Sequence, residues 1–176
     1  MIPAFIVSIL TFPGVIVHEM AHLMMCRIVG LKVHKVCYFR FGNPAGYVIH
    51  DTPSSAWASI LIGIGPLFVN TISGALLGGP FFGRKIIASN PVTIYVIIWL
   101  GISIAMHSFP STGDAKAIWT AVWSRGAPFL TKVVGTPLVA LIWLGALGSI
   151  IYLDIIYGFG VVYITAKYIF GAPLKL

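Results

Sequence analysis

Apolar residues run along this chain in long blocks, separated by short polar or Gly/Pro-rich stretches. The first block covers 1–30 and is interrupted by Pro13-Gly14, which predicts a kink. From Pro13 onward it reads as a helix entered at proline, where a missing N–H does no harm, and Gly30 predicts its end. Residues 31–52 differ. Val33 to Phe41 is β-branched and aromatic, Gly42-Asn43-Pro44-Ala45-Gly46 is turn chemistry, and Tyr47-Val48-Ile49 is again strand-like. This predicts a small β-hairpin leaning on helices or lipid. A second span follows over 54–78, studded with Gly63, Gly65, Ser73 and Gly74 and ended by Gly78-Gly79-Pro80. Arg84 and Lys85 mark a short loop, and 91–107 is the third span.

The stretch 108–131 reads as a polar break, Ser108 to Gly113, then a short interfacial helix, Ala115 to Ser124. Ile118, Trp119, Val122 and Trp123 are expected on one face of that helix. Residues 133–170 are almost continuously apolar. As one helix they would run about 57 Å, too long for a hydrocarbon core of about 30 Å. A break is expected near Asp154 or at Gly158-Phe159-Gly160, giving one or two further spans. The fold class is therefore an all-α polytopic membrane protein of four or five transmembrane helices, one integral membrane domain over 1–176, with a β-hairpin between the first two spans.

Composition sharpens this picture. Hydrophobic residues make up 59% of 176 and charged residues 9%, with a mean hydropathy of +0.99. Soluble domains carry about a quarter charged residues, so a water-soluble globular protein is excluded, and so is a disordered chain. The net charge of +7 does not point to nucleic acid, because the basic residues sit at the ends of apolar segments. Arg27, Lys32, Lys35 and Arg40 fall on one side with Lys116, Arg125 and Lys132, against Arg84 and Lys85 on the other. The positive-inside rule puts the hairpin in the cytoplasm and the N-terminus outside. The first segment lacks a basic n-region and a small-residue cleavage site and reads as a retained membrane segment. Cys26 and Cys37 are expected as reduced thiols.

The candidate chemistry is His18-Glu19-Met20-Ala21-His22, an HExxH motif on a predicted helix. The spacing puts both imidazoles on one face, where they can share a metal ion, with Glu19 beside them as a general base. Glu19 is the only glutamate in the chain and lies in a membrane segment, where an ionisable residue is costly unless it functions. A catalytic zinc takes three protein ligands. Asp51, Asp114, Asp154, His34, His50 and His107 are candidates for the third. Span two goes back across and span three returns, so His107 and Asp114 emerge at the face where His18 and His22 lie, and Asp114 is preferred, followed by His107. Ser111-x-x-Asp114 also has the form of a capping box, the alternative role for Asp114. His107, at a helix end, is expected to bond the last carbonyls.

HEMAH in the first segment, Gly65-Pro66-Leu67-Phe68-Val69-Asn70 in the second, and a Pro-containing turn with an Asp after the third resemble the site-2 protease family of intramembrane zinc metallopeptidases. The resemblance covers His18 to Asp114 and implies a compact, divergent member. It implies one Zn²⁺ held by His18, His22 and Asp114, Glu19 as the catalytic base, and Asn70 in a segment packed by the site. His107 and Pro110 belong to the third motif, in which His107 stands where the family has Asn and Gly113 precedes the Asp. The expected function is hydrolysis of membrane-embedded or membrane-anchored peptide substrates, in the cell membrane, with the active site near the cytoplasmic face. Asn70, His107 and Pro110 are the candidate supporting or substrate contacts. A non-catalytic metal- or partner-binding relative and a small metal transporter are the alternatives.

Overall fold

The structure, a computed structural model, describes residues 4–82 and 91–172. It is mostly helical, with one two-stranded antiparallel sheet. Helix α1 (Ala4–Leu10) leads through Thr11 into α2 (Phe12–Ile28). The expected break at Pro13-Gly14 thus falls at Thr11, because Pro13 is accommodated in the first turn of α2. Gly30 ends α2 with φ 73°, and the backbone bonds Gly30 N–Arg27 O (3.1 Å) and Leu31 N–Cys26 O (2.8 Å) form the reciprocal pair of a Schellman motif.

Strands β1 (Val33–Cys37) and β2 (Tyr47–His50) form the hairpin, pairing Cys37 with Tyr47 and Val36 with Val48, with a register irregularity between Val33 and Lys35. Helix α3 (Ala56–Gly78) starts at Ser55, whose hydroxyl accepts from Ala58 N at 3.2 Å. Then come α4 (Pro91–Met106), α5 (Thr112–Val122) and α6 (Phe129–Gly148). A 3₁₀ turn (Ser149–Ile151), α7 (Leu153–Ile164) and a π turn (Thr165–Ile169) complete the described chain. The loop expected at Arg84 and Lys85 lies outside the described residues.

Two expectations change and a third is sharpened. Helix α5 begins at Thr112 rather than Ala115, because Ser111 caps it. Its four supposed face residues divide. Ile118 and Val122, with Ala115, are fully buried among Ile60 of α3 and Val139 and Ile142 of α6, while Trp119 and Trp123 are exposed and stack on each other at 5.4 Å. The last apolar stretch begins at Phe129. It breaks at Tyr152, whose φ of 60° is left-handed, two residues before Asp154, while Gly158-Phe159-Gly160 stays helical.

Helix α3 is the hub, touching α2, α4, α5, α6 and α7. Beside Ile60 and Ile62, its buried face carries the small and polar residues Ser59, Gly63, Gly65, Asn70 and Gly74, while Phe68, Ile72 and Leu76 point outward. Small residues let helix backbones meet closely. A Cβ on Gly101 of α4 would lie 2.5 Å from the Gly78 Cα, and one on Gly74 would lie 2.6 Å from the Gly101 oxygen. By length and composition, Ala56–Gly78 and Phe129–Ile151 can each cross a membrane.

Substituting Gly101→Val puts a branched side chain against backbone that cannot move aside. A cost of at least about 1–3 kcal/mol is expected from overpacking, seen as a lowered Tm and loss of monodisperse protein. Parent-like melting would show that α3 and α4 do not approach as described.

Candidate metal centre

His18 and His22 lie one turn apart on α2, so their rings point the same way, with centroids 4.8 Å apart. Their Nδ1 atoms are engaged by main-chain oxygens from two other segments. His18 Nδ1 donates to His107 O at 2.8 Å, and His22 Nδ1 donates to Ile62 O at 3.0 Å. A carbonyl only accepts, so each Nδ1 carries a ring proton, and a neutral imidazole then has its lone pair at Nε2. The two Nε2 atoms face each other at 3.1 Å, a separation that a proton or a metal ion between them satisfies.

Asp114 completes the group. Its Oδ1 is 3.5 Å from His22 Nε2, and the ligand atoms of His18, His22 and Asp114 all lie within 4.8 Å of one another. These three residues could hold a metal ion. Tetrahedral zinc with ligand bonds of about 2.0–2.1 Å separates its ligand atoms by roughly 3.3 Å, close to the 3.1 and 3.5 Å that His22 Nε2 makes with His18 Nε2 and Asp114 Oδ1. Imidazoles that donate their other N–H to a carbonyl are the usual supported form of a ligand histidine.

Cap and ligand are not rival roles for Asp114. Its Oδ2 accepts from Ser111 N (2.7 Å) and Ser111 Oγ (2.6 Å), closing the capping box, while Oδ1 turns to the histidines. The cap orients the carboxylate and leaves one oxygen free for the site.

Asn70 is expected in a segment packed by the site. It is fully buried beneath the site, and its Nδ2 lies within hydrogen-bond reach of Gly14 O (3.1 Å), Ile104 O (3.2 Å) and His107 O (3.2 Å). It therefore grips the same carbonyl that anchors His18. The His107 ring does not bond the last carbonyls of α4 as expected. Its Nε2 donates to Thr11 Oγ1 at 2.8 Å, because that hydroxyl spends its own proton on Val7 O. His107 thus serves the site through its main chain. Pro110 is buried in the turn between α4 and α5. The other candidates for third ligand stand apart from the group. His34 pairs with Asp51 at 2.7 Å on the exposed hairpin, His50 Nδ1 bonds Asp51 O, and Asp154 Oδ1 accepts from Ile155 N.

Glu19 is 8% exposed and opens into the same cavity as the metal group, about 590 Å³ in volume. The hairpin forms its roof through Asn43, Pro44, Gly46, Tyr47 and His50. Gly46 sits so close that a Cβ there would lie 2.6 Å from Glu19 Cγ. From the α4–α5 turn, Ser111, Thr112 and Gly113 line the cavity, whereas Ser108 is fully buried and donates to Ala105 O. A second cavity of about 550 Å³ adjoins it at His50, Ile62 and Asp114 and carries the hydroxyls of Ser54, Ser55, Ser59, Thr120 and Ser124. The roof residue Gly46 and the carbonyl of Ile62 were not singled out from sequence. Neither belongs to a residue type that signals chemistry.

No protein-family model, no curated protein and no solved structure matches this chain.

Removing the cap and removing the ligand separate the two oxygens of Asp114. Ser111→Ala is expected to cost about 1 kcal/mol of stability and to lower zinc affinity only modestly. Asp114→Ala is expected to lower zinc affinity by more than the roughly 10–100-fold of a lost supporting contact. Competition with a chromophoric chelator measures both, and equal losses would merge the roles again.

Proposed function

We propose that this chain is an intramembrane zinc metalloprotease of the site-2 protease type. The observation that carries the reading is the convergence of two Nε2 atoms and Asp114 Oδ1, with the Glu19 carboxylate in the same cavity. When bound, a zinc ion supplies Lewis acidity, lowering the pKa of water and polarising a carbonyl. His18 and His22 would hold it through Nε2, and Asp114 through Oδ1. Glu19, buried beside them, takes a proton from the attacking water and passes it to the departing amide nitrogen. The cavity between helix and hairpin receives an extended stretch of peptide, and the hydroxyl-lined neighbour gives water a polar route.

The membrane reading rests on composition and on the apolar outer surface. Gly63, Gly74, Gly101, Ser103 and Asn70 pack between helices, while Leu76, Leu141, Leu144, Leu147 and Ile156 lie outside, a pattern suited to a lipid solvent. We read α2, α4 and α7 as further spans beside the two long apolar helices, and the positive-inside rule, applied to the basic segments, supports a site near the cytoplasmic face. The substrates are membrane-embedded or membrane-anchored proteins.

Glu19→Gln keeps the shape and removes the base. It is expected to bind zinc as the parent does while cleavage of a membrane-anchored reporter in proteoliposomes falls roughly 10²–10⁴-fold. Parent-like turnover by that variant rejects the mechanism. A parent that binds zinc and cleaves no membrane peptide rejects the protease.

A further inference from the structure

Helix α3 carries a fully buried proline in its interior, Pro66. An α-helix pairs the N–H of each residue with the carbonyl four residues earlier. At position 66 that partner is Ile62, and Pro66 has no N–H to offer it. A buried carbonyl left without a donor is costly, the more so where no water can reach it. The donor that reaches Ile62 O is His22 Nδ1, at 3.0 Å.

The neighbouring residue brings the two helices to the necessary distance. A Cβ on Gly65 would lie 2.5 Å from Met25 Cγ and 3.6 Å from Ala21 O, so α2 passes close over α3 at this point. Gly65 permits the approach, and Pro66 exposes the acceptor. Pro137 is also interior to a helix, α6, but it is surface-exposed and lines an apolar groove with no ligand histidine beside it.

We propose that Pro66 is a positioning residue of the metal centre: by withholding an N–H from Ile62 O, it keeps that carbonyl available to His22 Nδ1, which fixes the His22 tautomer and aims Nε2 at the ion. The proposal rests on the metal-centre reading and does not depend on peptide hydrolysis. A proline serving only to bend α3 would have no effect on the His22 ring. A positioning proline has opposite effects on fold and site. Alanine restores the helical N–H, which strengthens α3 and competes with the histidine for the carbonyl.

The test compares the full chain with Pro66→Ala and Pro137→Ala in detergent micelles, reading Tm, zinc affinity by chelator competition and the Co²⁺ absorption spectrum. Pro66→Ala is expected to melt no lower than the parent while its zinc affinity falls roughly tenfold or more and its cobalt bands change. Pro137→Ala is expected to keep parent affinity. A folded Pro66→Ala with unchanged affinity and cobalt spectrum overturns the proposal alone. A parent that binds no zinc overturns the metal-centre reading and the proposal with it. If Pro66→Ala fails to fold, the ¹⁵N spectrum of histidine-labelled parent decides, with His22 assigned through His22→Gln. A ring protonated and hydrogen-bonded at Nδ1 supports the proposal, and one protonated at Nε2 overturns it.

Discussion

The carbonyl oxygen of His107 is the point on which the centre depends. It accepts from His18 Nδ1 and lies within reach of Asn70 Nδ2, and so joins α2, α3 and the end of α4 at one atom. The same amide nitrogen reaches Gly14 O and Ile104 O, which locks the start of α2 to the last turn of α4. Ser103 reinforces that seam by donating to Thr11 O at 2.9 Å and accepting from Gly14 N at 3.2 Å. The C-terminal end of a helix leaves carbonyls without intrahelical donors, and just past α4 side chains satisfy that of His107. The metal group inherits its geometry from that satisfaction, because the ring that fills one carbonyl has only its other nitrogen left to give.

Packing and chemistry reinforce each other around this seam. The glycines of α3 and α4 bring backbones together, which places polar side chains within bonding distance of main-chain oxygens. Thr71, next to Asn70, joins Tyr157 of α7 at 2.7 Å and Ser108 Oγ at 3.1 Å, so the C-terminal helix is tied to the same layer. Opposite, the apolar cluster of Ile60, Ile118, Val122, Val139 and Ile142 holds α5 against α3 and α6. It is that helix which delivers Asp114.

Much of the site was legible because its residues are chemically rare in an apolar chain. His18, Glu19 and His22 announce themselves by spacing, and crossing parity was enough to prefer Asp114. Boundaries of 91–106 for α4 and the hairpin strands also follow from the apolar pattern and turn residues. The misses share a physical cause: they concern main-chain atoms and paired roles. Spacing cannot reveal that the carbonyl of His107, rather than its ring, reaches His18, or that one carboxylate both caps a helix and faces the histidines. The two Trp residues of α5 misled because helical spacing groups Trp119 with Val122 and Trp123, although packing places Val122 in the core and the Trp pair outside. The break at Tyr152 had only a neighbouring acid to signal it, since its left-handed backbone is the kind that glycine usually marks.

The contact between Gly46 and Glu19 makes the cleft mechanically lopsided. Its floor is a helix bolted at several points to two others, and its roof is a two-stranded hairpin, a structure that is marginal when left to itself. A two-stranded sheet resists bending less than a helix bonded to its neighbours, so the compliant wall of the cleft is the one that carries none of the donors able to hold a metal ion.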